Sequence, residues 1–267
     1  MTTKHTQLFD VSDKVVMITG GAGNLGKKIA ETFVSLGASV ILVDRNNVEL
    51  KKVVDELTVA LNGRIESFTC DLEIEEQRLS LIKEFQDSAR RIDVLINNAA
   101  FVGSSELNGW NTSFELQSIE TWRRALEVNV TAAFQLVQGL VNVLRRGSSP
   151  SIINIASIYG VYAPDWRLYE DTSMYNPAAY SVSKAGLIQL TKWMGSLLGP
   201  DIRVNAISPG GIARNQPTKF VEKYISRTSL GRMAEEEDLV GAVVFLASPA
   251  SKYMTGQNIV IDGGWGN

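Results

Sequence analysis

Tyr180 and Lys184, in the run Tyr180-Ser-Val-Ser-Lys184, stand four residues apart. On a helix that spacing puts the phenol and the ammonium on one face. A phenol titrates near 10 in water, and a cation held close favours the phenolate, bringing it toward the range where it exchanges protons at neutral pH. Far upstream, Gly21-Ala-Gly23-Asn-Leu-Gly26 has the G-x-G-x-x-G spacing. Between a strand and a helix, such a turn presents backbone N–H groups and a helix N-terminus to a pyrophosphate, and the missing side chains allow close approach. Asp44 lies 18 positions beyond Gly26, at the end of the next apolar run. A carboxylate there accepts from both adenosine ribose hydroxyls and repels a 2′-phosphate, which selects NAD over NADP. Arg45 is the counter-signal, since a guanidinium there can pair with that phosphate.

Bringing these groups together needs strands and helices in alternation. The apolar runs Lys14 to Thr19, Ser39 to Val43, Ile65 to Thr69, Val94 to Asn97, Ser151 to Ala156, Ile202 to Ile207 and Asn258 to Ile261 read as buried parallel strands. Between them, helical periodicity covers about 25–36, with Ile29, Phe33 and Leu36 on one face and Gly37 as cap, then 48–61, 75–90, 119–144, 178–198 and 235–247. Strict alternation predicts an α/β fold: one doubly wound, Rossmann-like domain over 1–267, with a parallel sheet of about seven strands covered by helices on both faces. Residues 1–13 read as a tail.

The 267 residues carry 26 Lys and Arg against 29 Asp and Glu, a net charge of -3. The basic residues are scattered, so neither nucleic acid nor a membrane surface is an expected partner. No apolar run approaches 18 residues, and the polar start Met1 to Asp10 is unlike a signal peptide, so a cytoplasmic protein is expected. Cys70 is the single cysteine and cannot form an internal disulfide; His5, the single histidine, lies in the tail. A mechanism built on a core His base, or on a His/Cys metal cluster, is excluded, and no metal site is expected.

Further segments coincide with these: Asn97-Asn98-Ala99-Ala100, Asn129 in Val-Asn-Val, Ser157 after an apolar strand, Ser208-Pro209-Gly210-Gly211 and Asp262-Gly263-Gly264. With Thr19-Gly20 and the Tyr-Lys pair, they make the chain resemble, from about Lys14 to Gly264, the compact members of the short-chain dehydrogenase/reductase family. The resemblance implies an enzyme in which Tyr180 is the general acid/base, Lys184 lowers its pKa and binds nicotinamide ribose, Ser157 bonds the reacting oxygen and Asn129 anchors a water in a proton relay. It implies a cofactor site of Gly20, Gly23, Asn24, Leu25, Gly26, Asp44, Arg45, Asp71, Leu72, Asn98, Ala99, Ala100, Pro209, Gly210 and Ile212, besides Tyr180 and Lys184. It also implies a homo-oligomer, a tetramer, paired through 119–144 and 178–198, where Leu136, Leu140, Leu187 and Leu190 exceed the needs of one buried stripe.

Four departures from the family pattern bear on specificity. Asn24 replaces a glycine of the phosphate turn, which Asn tolerates best if φ is positive, and Ala100 ends the Asn-Asn motif in place of glycine. Arg214 stands where many members carry a threonine near the nicotinamide carboxamide. Ser157 and Tyr180 are 23 positions apart, farther than in the simplest members, so 158–179 forms an insert rich in aromatic, Arg and acidic residues. A connection between two catalytic residues runs beside the substrate, and such side chains suit a polar, hydroxylated or anionic molecule. Trp166, Arg167 and Arg214 are therefore expected to contact substrate. Through the insert and Gly211-Ile-Ala-Arg-Asn-Gln-Pro217 the chain is most similar to bacterial dehydrogenases of surface-glycan and flagellin sugar modification, which points to a sugar or sugar-acid substrate, possibly nucleotide-activated. Two alternatives stay open: an NADPH-dependent reductase of a 3-oxoacyl thioester or small ketone, and a non-catalytic dinucleotide-binding regulator.

Overall fold

A computed structural model describes residues 6–61, 63–101 and 107–267. Its sheet contains β1 (Val15–Thr19), β2 (Ser39–Asp44), β3 (Arg64–Thr69), β4 (Val94–Asn97), β5 (Ser151–Ile155), β6 (Arg203–Pro209) and β7 (Asn258–Ile261). All seven are parallel, in the order β3-β2-β1-β4-β5-β6-β7. Chain order reverses beside β1, whose neighbours are β2 and β4. At such a switch point the loops leaving the strand ends diverge and open a crevice.

The helices are α1 (Asn24–Ser35), α2 (Asn47–Leu61), α3 (Glu75–Gln86), α4 (Ile119–Leu126), α5 (Ala132–Leu144), α6 (Ala178–Leu198), α7 (Thr218–Arg227) and α8 (Glu237–Ala247). Alternate residues of a strand face opposite sides, and here both sides are covered. Val16, Ile18, Val40 and Leu42 meet Ile29, Phe33, Leu50 and Val243 on one face. Met17, Ile41 and Leu95 meet Leu81, Phe85, Leu136 and Leu140 on the other. That double burial is why the inner strands read as apolar runs, whereas the edge strand β3 is largely exposed and polar.

Several expectations need correction. Residues 119–144 do not form one helix: a π-turn at Glu127–Thr131 separates α4 from α5. Apolar periodicity continues through such a turn, so the sequence pattern cannot show it. Helix α3 ends at Gln86 rather than 90. Leu36 is an exposed cap residue, and Ala30 and Val34 join Ile29 and Phe33 on the buried face of α1. Leu136, Leu140 and Leu187 are fully spent on the chain's own core, and Leu190 packs against it; the apolar side chains left exposed on these helices are Phe134, Val182, Trp193 and Leu197. Helix α7 was not expected, although Phe220 and Tyr224, its two buried residues, stand one helical turn apart.

Candidate active site

The loops at the strand ends enclose a cleft of about 860 Å³. Its cofactor-like end is built around the turn after β1. Gly20 has φ +67°, and a Cβ on Gly26 would lie 2.1 Å from the Gly20 carbonyl oxygen, so the turn can close onto α1 only with glycine at both positions. Asn98 clamps this turn to β4, its side-chain amide donating to the carbonyls of Thr19 at 3.0 Å and Gly20 at 3.2 Å. Asn24 opens α1 in helical backbone, outside the positive-φ region, so this substitution does not load the turn. The turn thus leaves an open cradle at the start of α1, of the kind that takes a phosphate.

Asp44 ends β2 on the lip of the cleft. One carboxylate oxygen accepts from the Ala22 N–H at 3.0 Å and the other from the Asn46 N–H at 3.0 Å. Each keeps a lone pair for a further donor. Arg45 is exposed beside it, and Asp71, Leu72, Ala99, Ala100, Pro209, Gly210 and Ile212 line the same cleft, as do Gly23 and Leu25. Cys70 also lines it, with burial pushing its thiol up to about 11.

At the other end Ser157 follows β5 directly, and its Oγ accepts from the Tyr159 N–H at 3.2 Å. Tyr180 and Lys184 lie on the first two turns of α6, as their spacing predicts. Lys184 is 1 % exposed; its Nζ donates to the Ile155 carbonyl at 2.8 Å and lies 5.8 Å from the centre of the Tyr180 ring. Burial disfavours charge on both groups. It lowers the Lys184 ammonium to about 8 and raises the Tyr180 phenol, while a hydrogen bond with Ser157 pulls the phenol back down.

Asn129 is buried in the π-turn, outside the cleft wall. Its Oδ1 accepts from the Phe101 N–H at 2.7 Å, and its Nδ2 donates to Ser183 Oγ at 2.9 Å. The side chain thus ties the segment after β4 to α6.

The insert is placed differently from its expected role. Trp166 and Arg167 do not line the main cleft. Arg167 is turned back on Asp165, with Nε–Oδ1 at 2.8 Å and Nη2–Oδ2 at 2.6 Å, and Trp166 packs on Tyr169 and Tyr175 beside a smaller outer cavity. The Asp165 carboxylate, two positions before it, takes the Arg167 guanidinium in a two-point contact. Asp165 also binds Arg227 of α7, and Lys223 donates to the carbonyls of Arg167 and Glu170, so the insert is stapled to α7. The insert residues that do reach the cleft are Ile158, Tyr159, Tyr169, Met174, Tyr175, Asn176 and Pro177. The aromatic density of the insert was the available signal for them; which aromatics face inward was not. Arg214 lines the cleft, with its Nη2 paired to Glu236 at 2.6 Å.

A cleft at the switch point of a doubly wound sheet, with a glycine turn at one end and Ser, Tyr and Lys at the other, defines a dinucleotide-dependent oxidoreductase architecture. Residues 20–266 match the family model described as Enoyl-(Acyl carrier protein) reductase. The chain is 31% identical to post-translational flagellin modification protein A of Campylobacter coli over 96% of this chain and 99% of the relative. It is 33% identical to the 3-oxoacyl-[acyl-carrier-protein] reductase FabG of Thermotoga maritima (94% and 97%) and 34% identical to a probable galactose dehydrogenase of Rhizobium meliloti (99% and 99%). A short chain dehydrogenase from Leptospira borgpetersenii, solved with bound NAD+, superposes with a TM-score of 0.84 at 35% identity, covering 99% of this chain and 97% of that one. The protein belongs to the short-chain dehydrogenase/reductase family and is an oxidoreductase enzyme acting on a small molecule. Solved relatives carry NAD+ in one case and NADP in others. Among the described residues no helix is long and apolar enough to cross a membrane.

Proposed function

We propose that the protein is an NAD-dependent dehydrogenase/reductase, working as a homotetramer, that interconverts a secondary alcohol and a ketone on a polar, sugar-like substrate. The observation that carries this reading is that Ser157, Tyr180 and Lys184 meet in the same cleft whose far lip holds Asp44. A nicotinamide dinucleotide supplies the acceptor or donor of the hydride when bound. The glycine turn and the start of α1 would hold its pyrophosphate, Asp44 would accept from the adenosine ribose, Asp71 and Leu72 would flank adenine, and Lys184 would hold the second ribose. In alcohol oxidation the substrate's hydroxyl proton would pass to the Tyr180 phenolate as the bound dinucleotide accepted the carbon's hydride, leaving C=O; in reduction the Tyr180 phenol would return the proton. Ser157 donates to the same substrate oxygen, Lys184 stabilises the Tyr180 phenolate, and Asn129 holds the elements in register.

A polar substrate is supported by the lining beyond Ser157, where Tyr169, Tyr175, Asn111, Asn176 and Gln216 offer ring faces and hydrogen-bonding groups together. The names of the flagellin-modification and galactose-dehydrogenase relatives agree with it. A second reading, reduction of a 3-oxoacyl thioester with NADPH, is favoured by the family model's description and by the FabG relative, with exposed Arg45 as the phosphate partner. Turnover of D-galactose, D-gluconate and acetoacetyl-CoA with NAD(H) and NADP(H), followed at the nicotinamide absorbance, separates the two. Tyr180→Phe is expected to lower turnover by about 10²–10⁴-fold while retaining cofactor affinity. Substantial turnover by that variant would remove Tyr180 from the reaction.

A further inference from the structure

The connection from Ser157 to Tyr180 carries a polar chain that the reaction itself does not use. Tyr159 sits in the 3-10 turn Ile158–Gly160, directly after Ser157. A Cβ on Gly160 would lie 2.6 Å from the Lys184 carbonyl carbon, so the turn packs against the backbone of α6 at the very residue that neighbours Tyr180 in the cleft. Tyr159 lines that cleft, its ring held edge-on to the fully buried Trp265 at 6.1 Å.

Three hydrogen bonds give the chain a direction. Ser181 Oγ donates to Asn176 Oδ1 at 3.0 Å, which sets the amide the right way round for its Nδ2 to donate to the Tyr169 oxygen at 3.3 Å. Tyr169, accepting there, donates its own proton to the Tyr159 oxygen at 2.7 Å. Tyr159 accepts and, among the described residues, finds no acceptor for the hydrogen it still carries. An accepted hydrogen bond strengthens the one that a hydroxyl donates. The chain therefore ends, within the cleft, in an unspent donor. Burial keeps both phenols protonated, so this hydroxyl binds and does not exchange protons.

We propose that Tyr159 donates a hydrogen bond to a second oxygen of the substrate, one that does not react, and thereby selects polyhydroxylated or carboxylated alcohols over alcohols with a single oxygen. Tyr169 and Asn176 are positioning residues for that donor. The inference rests on the oxidoreductase reading above and adds to it the residue that reads the substrate's extra oxygen. A site built to bond an oxygen discriminates against a ligand that lacks it, because the buried donor is then left unpaired.

The test uses the NAD-loaded enzyme and three alcohols: D-galactose and D-gluconate, rich in oxygen, and cyclohexanol, which has one. Tyr159→Phe is expected to narrow the ratio of kcat/KM between the better oxygen-rich substrate and cyclohexanol by about tenfold, with the change carried by KM. Tyr169→Phe should narrow it less, and Tyr159→Phe combined with Tyr169→Phe should do no more than Tyr159→Phe alone. Thermal melting of each variant confirms folding. An unchanged ratio overturns the proposal, as does additive behaviour of the pair. Wild-type turnover of cyclohexanol alone, or of none of the three, overturns it too. Failure of the underlying reading shows separately, as retained turnover by Tyr180→Phe.

Discussion

Asn129→Ala is expected to cost stability as well as activity, and the structure sets the size of the loss. Asn129 is 2 % exposed and makes two bonds, accepting from the Phe101 N–H at 2.7 Å and donating to Ser183 Oγ at 2.9 Å. Truncation leaves the Phe101 N–H buried without an acceptor, which costs about 1–3 kcal/mol, and removes the second bond, worth about 0.5–1.5 kcal/mol. Ser183 retains its own bond to the Tyr180 carbonyl at 2.8 Å, so it is not orphaned. A net loss of about 2–4 kcal/mol follows. At about 2 °C per kcal/mol for a chain of this size, the melting temperature should fall by roughly 4–8 °C. Asn129→Asp should fare no better. It restores an acceptor for Phe101, but its second oxygen faces a Ser183 hydroxyl whose proton is committed to Tyr180, so two acceptors meet with no hydrogen between them. Urea and thermal unfolding of wild type and both variants, followed by circular dichroism and set beside turnover, provide the assay. Full stability in Asn129→Ala with turnover abolished would refute the positioning argument, because the side chain would then act on the chemistry alone.

The pH dependence of ketone reduction follows from Lys184, whose ammonium burial lowers to about 8. Reduction converts the Tyr180 phenol to phenolate, which the cationic form of Lys184 stabilises; as pH rises through about 8 that charge is lost and kcat for reduction should fall, whereas a profile flat to pH 10 would contradict the role given to Lys184. Asp44→Ser removes the negative charge on the cofactor lip, so the preference for NAD(H) over NADP(H) should narrow by on the order of tenfold in fluorescence titrations; an unchanged preference would move the discrimination elsewhere. Exposed Phe134 on α5, with Trp193 and Leu197 on α6, should be covered by a second copy of the chain. Light scattering at micromolar concentration should then give about four times the 29.2 kDa chain mass, with Trp193→Glu shifting the protein to smaller species.

Much of the architecture is local in origin and so could be read from the chain. Each of the five inner strands is buried on both faces and must be largely apolar, each helix shows its core face at every third or fourth residue, and alternation of the two dictates a parallel sheet. The glycine turn was legible for the same reason. Gly20 and Gly26 meet within one turn, and Asp44 ends the strand that pairs with β1 residue for residue, Thr19 opposite Val43. Tyr180 and Lys184 share a helix face by spacing alone.

What tertiary structure decided depends on contacts between segments far apart in sequence. The π-turn at Glu127–Thr131 keeps the apolar pattern of its helix, and its purpose shows only when Asn129 is seen bridging Phe101 and Ser183. The place of the insert between Ser157 and Tyr180 put it beside the cleft, but composition could not tell its inward side chains from its outward ones. Arg167 is drawn away by Asp165, which in turn is anchored by Arg227 from a helix 62 residues on, and this leaves Tyr159, Tyr169 and Asn176 facing the cleft. The charge state of the site was likewise set by packing. Burying both groups at the inner end of the cleft raises the phenol and lowers the ammonium, because desolvation penalises each charged form wherever solvent is excluded.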